Sequence, residues 1–397
     1  VRRLAKGGVI TDLLAIEQPK RTSKQNETIL RYYLEQEDTS YRILKDRIAA
    51  LESERAAIRK RGATTLVMQE KPSKPFAHIL KRGEYDQPQE KVFPGTPAAM
   101  LPMPKDAPAN RLGLARWLTE PDHPLTARVS VNQLWQQVMG TGIVETAGDF
   151  GTMGQRPSHP DLLNWLAVEF RESGWDMKHV LRLIVSSAAY RQDSSSTPRK
   201  INLDAANRLL SRGPRFRLDG EMIRDQALAA SGLLVRDLGG PSVKPYQPSG
   251  VWFAVGYTRS NTARFVQDHE DKLYRRSLYT FWKRTAAPPS LEVFNAPSRE
   301  SCTVQRDRTN TPLQALTLMN DPQFIEAARH LATNAINACG NDHRARLNHI
   351  TSRVLARTFD DEEHTLIEQS LQKFRTCFQK DPPAATDLVS IGETKAD

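Results

Sequence analysis

Eight prolines fall between residues 70 and 109: Pro72, Pro75, Pro88, Pro94, Pro97, Pro102, Pro104 and Pro108. Each holds φ at about −65° and removes an amide donor, so neither a helix nor an inner strand runs through such a stretch. It reads as an extended connector and as the main boundary of the chain. The sequence therefore divides into an arm at 1–69, a proline-rich connector at 70–109 and a larger domain at 110–397.

The arm carries a 4,3,4,3 spacing through Leu30, Leu34, Glu37, Tyr41, Leu44, Ile48, Leu51, Arg55 and Ile58. That period places an apolar stripe on one face of a long, coiled-coil-like helix. Asp38, Thr39 and Ser40 equally suit a turn and cap that would split it into two antiparallel helices. Both readings stay open, as do the roles of packing arm and oligomerising coil.

After the connector, residues 110–118, 124–140, 160–174 and 177–190 each place apolar side chains at helical spacing, which predicts a helical core. Ser158, Pro160 and Asp161 predict a helix start with a hydroxyl cap, ended by Gly174. A helix is expected from Asp219 to Leu238. The runs VWFAVGY (251–257) and SLYTFWK (277–283) are rich in aromatic and β-branched residues and predict a small β element. Thr311, Pro312 and Gln314 form a capping box, so a helix begins at Pro312 and either ends near Asn320 or continues past a kink at Pro322. Two more amphipathic helices are expected at Arg344–Thr358 and Asp361–Phe378. The fold class is mainly α: a multi-helix globular domain with a small β element behind a helical arm.

An apolar share of 39% with 26% charged residues describes a folding chain rather than a disordered one. The net charge of +10 suits any polyanion without choosing among them. Cys302, Cys339 and Cys377 are too few and too far apart for a disulfide framework or a zinc site, and no CxxCH motif is present to hold haem. No apolar run reaches the roughly 20 residues a bilayer span needs. No signal peptide opens the chain, and Val1 in place of Met reads as a missing N-terminus. HExxH, GxGxxG, GxxxxGK[ST] and GxSxG are absent, which removes most support for zinc proteases, dinucleotide enzymes, P-loop enzymes and α/β-hydrolases.

The densest polar cluster runs from Arg299 to Asp321, with LYRRSLYTFWKR (273–284) just before it. Guanidinium groups grip carboxylate, sulfate or phosphate through paired hydrogen bonds, and interleaved aromatics offer stacking faces. Arg275, Arg276, Tyr279, Lys283, Arg299, Glu300, Arg306, Asp307, Arg308 and Asn310 are accordingly the candidate ligand-binding set. The same arginines can instead be spent on Glu300, Asp307 and Asp321, stitching irregular backbone to the core. Cys302 would act as a nucleophile only beside a base such as His269 or His330, and a buried inert thiol is expected. Asp149, His159 and Asp161 suggest an acid/base or metal pair less than a helix start. No catalytic residue and no metal site is assigned.

In order along the chain, RGEYDQP (82–88), VFPGTP (92–97), NRLGLARWL (110–118), ARVSVNQLWQQVMGTGIVETAGDFG (127–151), PSHPDLLNWLA (157–167), RLDGEMIRDQALAASGLL (217–234), GGPSVKPYQP (239–248), LYRRSLYTFWKR, NAPSRESC (295–302) and RTNTPLQAL (308–316) resemble the planctomycete-specific domain one family. The resemblance covers roughly residues 65–392 and implies a C-terminal domain of unknown function in large exported proteins that often carry a cytochrome c-like module. It therefore implies an extracytoplasmic location, other domains of a parent protein as partners, no cofactor in this chain and a c-type haem only in the missing part. Asn295 and Gln305 depart from the family pattern, which favours an acidic and a basic residue there. The family domain continues past Gly392, so Asp397 reads as a truncated end.

Two functions follow as expectations. One is a non-catalytic binding or assembly module with an anionic-ligand or partner site. The other is an enzyme domain acting on an anionic or sulfated polysaccharide, with Arg299, Arg306 and Arg308 on the anion and Glu300 or Asp307 as acid or base. Nucleic acid is not an expected partner.

Overall fold

The computed structural model describes residues 8–62, 65–71, 73, 75–255, 260 and 262–395, in two compact units, 1–95 and 96–397. In the first unit, α1 (Val9–Ala15) precedes α2 (Ser23–Gln36) and α3 (Thr39–Arg61). Thr22 and Gln25 cap α2 reciprocally, the Thr22 hydroxyl accepting from the Gln25 amide and the Gln25 side chain accepting from the Thr22 amide. The Asp38 carboxylate accepts from the Tyr41 amide at 2.9 Å and starts α3, so the heptad-like stretch is two helices. Lys45 ties α3 back to Glu35 of α2 at 2.8 Å. None of the three helices buries a residue.

The connector is less extended than its prolines predict. Within it, β1 (Ala77–Leu80) and β2 (Pro88–Val92) pair antiparallel with Ala77 opposite Val92 and His78 opposite Lys91. Pro88 sits at the first residue of its strand, a position that asks for no ladder donor. These strands are the only named ones among the described residues, so the small β element exists but not at 251–283, where it was expected.

The second unit is helical. It comprises α4 (Arg111–Leu118), α5 (Thr126–Met139), α6 (Pro160–Glu172), α7 (Met177–Ser186), α8 (Pro198–Leu203), α9 (Gly220–Ser231), α10 (Val251–Val255) and α11 (Pro289–Glu292). It continues with α12 (Pro312–Asn320), α13 (Pro322–Cys339), α14 (His343–Leu355), α15 (Asp361–Lys380) and α16 (Pro382–Val389). No helix among the described residues is long and apolar enough to cross a membrane. Helices α5, α6 and α7 enclose one apolar core built on Val131, Trp135, Leu163, Leu166, Phe170, Val180 and Ile184. Helices α9 and α13 pack together, and Leu228 of α9 forms a second apolar cluster with Leu273 and Tyr274.

Several local expectations shift. His159, not Ser158, is the N-cap of α6, because the Ser158 hydroxyl donates to the Ile143 carbonyl instead. The expected helix 219–238 stops at Ser231, where Gly232 takes φ 82°, and Val235 then bridges the Tyr274 carbonyl. Residues 251–255 are helical, and 256–257 lie outside the described residues. Residues 277–279 form a single 3-10 turn, and Val243 bridges Thr280 beside it. The aromatic and β-branched signal in these runs reports half-buried surface rather than a ladder, as β-propensity does in general. The second run pairs with Val243, whose amide donates to Tyr279 (2.8 Å) and whose carbonyl accepts from Phe281 (2.7 Å); just before it, buried Arg224 donates to the carbonyls of Leu273 (2.6 Å) and Arg275 (2.9 Å), and to Gln323 at 2.7 Å. The capping box at Thr311–Gln314 forms as expected, and Asp321 then closes α12 and caps α13. The last two expected helices are present as α14, which starts one residue earlier and ends three earlier, and α15, which starts at Asp361 as expected and ends two residues later.

Candidate functional site

The sequence-derived candidates do not converge on one place. Arg275 is buried and gives its guanidinium to the carbonyls of Pro241, Asp237 and Gly239, with its plane 3.8 Å above the Tyr279 ring. The Tyr279 hydroxyl accepts from the Gly239 amide. Arg276 lies 3.8 Å from Asp225. Lys283 donates to the Thr262 carbonyl, Arg299 stacks on Trp282, and Glu300 pairs with Arg284 at 2.9 Å. Arg306 makes a two-pronged contact with Glu221 of α9, at 2.6 and 3.3 Å. Asp307 and Asn310 are exposed. Arg308 reaches a pocket wall.

The expectation of a buried Cys302 fails, since the thiol is exposed. Its two suggested bases are engaged elsewhere: His269 with Glu393 at 2.7 Å and His330 with Thr394 at 2.7 Å. No group of three or more His, Cys, Asp or Glu that could hold a metal occurs among the described residues. Asn295 has φ 63°, and its side-chain oxygen accepts from Thr309 at 3.0 Å and more distantly from Gln314 at 3.4 Å. Asparagine tolerates that left-handed backbone better than most residues, so its presence here has a local structural reason.

The pocket that Arg308 joins lies at the C-terminal end of α5. Gly140 ends the helix at φ 86°, and a Cβ there would stand 2.7 Å from Phe216. Gly142 is equally constrained, with Asn132 within 2.6 Å of any added Cβ. Buried Asn132 pins the turn by donating to the Val144 carbonyl (3.0 Å) and accepting from its amide (2.8 Å). Onto this turn come two guanidiniums. Arg208 donates to the carbonyls of Gly142 (2.9 Å) and Ile143 (3.1 Å), and Arg308 donates to Gly140 (2.6 Å) while stacking 4.4 Å over Phe216.

Arg215, exposed, and His159, the N-cap of α6, complete a polar rim around a cavity of about 120 Å³. Among the described residues no carboxylate lines it, although Glu145 lies 4.0 Å from Arg208. Its floor is Trp135 and Met139 of the first core. The positive end of the α6 dipole adds to the same sign of field. The volume is well below the roughly 300 Å³ at which organic-ligand pockets begin. What the arrangement can accept is a small, negatively charged group. Reading the sequence alone misses Arg208 and Arg215, which lie about 95 residues before Arg308 and whose only local sign is the basic run around Gly213.

Two larger clefts carry less charge. One, of about 470 Å³, lies between Tyr246–Pro248, Pro289–Val293 and the junction of α12 and α13. Burial raises the Asp321 carboxyl above its ordinary range there, against hydrogen bonding from Gln323. The other, about 430 Å³, runs between α13, α14 and α15.

A buried polar centre lies beside α13. Glu326 is fully buried and accepts from the Tyr246 hydroxyl (2.9 Å), the Tyr274 hydroxyl (3.0 Å), the amides of Glu393 (3.0 Å) and Thr394 (2.9 Å), and the Thr394 hydroxyl (2.7 Å). Burial by itself would raise its pKa, but these donors outweigh burial and leave the carboxyl below its ordinary value. Tyr246 and Tyr274 are pushed upward, by burial first and by the Glu326 charge second. Gly392, at φ 102°, lets the terminal segment approach. All of this is architecture: the donors are consumed in docking residues 392–394.

Fold and site together define a mainly helical domain with a small cationic pocket. The chain belongs to the family PSD1, described as a protein of unknown function (DUF1553), whose model matches residues 110–371. No curated protein and no solved structure matches it.

Proposed function

We propose that the domain is a non-catalytic binding module that holds a small oxyanion, free or as the sulfate or phosphate group of a larger anionic ligand, in the pocket at the end of α5. The observation that carries the reading is the convergence of Arg208, Arg215 and Arg308 on a cavity whose lining, among the described residues, includes no carboxylate. Arg208 and Arg308 are already held by backbone carbonyls, so little ordering remains when an anion arrives. A glycosidase would instead need two carboxylates about 5–10 Å apart flanking the bond, and the arginine pocket offers none. In its full setting the module works outside the cytoplasm among other domains of a larger parent protein, a c-type haem module among them. An anionic polysaccharide is the natural macromolecular ligand. That setting, and a planctomycete origin, rest on the family resemblance.

The test is a thermal-shift titration with inorganic sulfate against chloride at equal ionic strength, followed by dextran sulfate against neutral dextran. A ligand at a hundredfold its Kd stabilises by about 2.7 kcal/mol. Arg215→Ala leaves the turn contacts intact and should abolish the sulfate-specific rise. Equal rises in the wild type and the variant would refute the site. A response to dextran sulfate alone would assign the anion to a polysaccharide.

A further inference from the structure

We propose that the chain pairs with a second copy of itself through α3, as a parallel two-stranded coiled coil. From Arg42 to Gly62 every residue is exposed, and the stripe of Leu44, Ile48, Leu51 and Ile58 is 63%, 57%, 47% and 59% exposed. A helix of 23 residues with nothing buried is marginal in water, since helices in proteins draw most of their stability from packing an apolar face. The 4,3 spacing makes that face a seam for another helix rather than a broad surface for a globular core.

The heptad assignment follows from the spacing. Tyr41, Ile48 and Arg55 take the a positions, and Leu44, Leu51 and Ile58 take the d positions. A β-branched residue at a between leucines at d favours two strands, and a single charged a residue fixes register. Ile48 and Arg55 fill those roles.

Charge names the occupant. The flanking e positions are Lys45, Glu52 and Arg59, and the flanking g positions include Arg47 and Glu54. In a parallel, in-register pair each g residue faces the e residue five places later in the other helix. Arg47 then meets Glu52 of the second copy, and Glu54 meets Arg59 of the second copy; two-fold symmetry repeats both contacts. An antiparallel pair with Ile48 opposite Leu51 would instead set Arg47 beside Glu54 and Lys45 beside Glu52 of the second copy, and so would draw on Lys45, which Glu35 of its own chain already engages. Among the described residues Arg47, Glu54 and Arg59 have no ion-pair partner in their own chain, whereas Lys45 is already engaged by Glu35. Of the residues that face across the seam, Glu52 alone has an ion-pair partner among the described residues of its own chain, Arg55 at 3.7 Å.

Sedimentation equilibrium on the full chain reads the mass directly. The wild type should approach twice 44.8 kDa at micromolar concentration. Leu51→Asp should give the 44.8 kDa monomer with the helical circular dichroism and melting of the larger unit retained. Arg47→Glu alone, or Glu52→Arg alone, should weaken the dimer about tenfold, because symmetry turns two attractions between exposed charges into two repulsions. The double variant Arg47→Glu/Glu52→Arg restores opposite charges only in the parallel register and should recover wild-type dimerisation. A wild type that stays monomeric at every concentration overturns the proposal, as does a dimer indifferent to Leu51→Asp. A double variant as weak as the single ones overturns the parallel register.

Discussion

Removing the Glu326 carboxylate is the sharpest probe of how the larger unit closes on itself. Glu326→Ala strips the acceptor from two tyrosine hydroxyls and from the backbone and hydroxyl of residues 393–394. The terminal segment can leave for water and hydrate its own donors, so those bonds count only at their small net value. Tyr274 is buried and Tyr246 half-buried, and both hydroxyls stay behind. At about 1–3 kcal/mol for each stranded buried donor, the loss is about 2–6 kcal/mol, and about 4 kcal/mol is the central value. Urea unfolding followed by circular dichroism measures it. Amide hydrogen exchange at Glu393 and Thr394 should collapse from protected to open in the same variant. Gly392→Ala should open the same amides without touching the carboxylate, because a Cβ at φ 102° would stand 2.5 Å from the Glu326 carboxyl carbon. A Glu326→Ala protein within about 0.5 kcal/mol of wild type, the ordinary scatter of surface substitutions, would show that the carboxylate does not hold this corner, and the reasoning would fall.

Acid titration gives a second check. The Glu326 pKa is lowered on folding, so its contribution is fully present above the ordinary value of 4.5 and is lost as pH falls through the depressed folded value. Glu326→Gln should accordingly flatten the wild-type loss of stability below pH 4.5, and an unchanged slope would refute the assignment. Arg224 is the third target: burial brings its pKa down to about 10, and it serves the carbonyls of Leu273 and Arg275. Arg224→Met should cost about 3–5 kcal/mol, as breaking a buried charged network does, and should loosen residues 273–280 in hydrogen exchange.

Much of the helical framework was legible because its signals are local. Thr311, Pro312 and Gln314 announce α12, Asp38 starts α3, and Gly174 follows the end of α6, each acting within about one helical turn. The arginine-rich candidates were legible only as residue types. Whether Arg306 meets a ligand or Glu221 depends on a partner 85 positions away, and Arg275 is spent on the loop at 237–241.

The sequence by itself determined the helical class and most helix starts, because propensity, capping and hydrophobic period act between near neighbours. Tertiary structure alone decided which arginines are consumed and that Gly140, His159, Arg208, Arg215 and Arg308 border one cavity. Those outcomes depend on competition for buried hydrogen-bond acceptors between segments far apart in the chain, and no local pattern records who wins it.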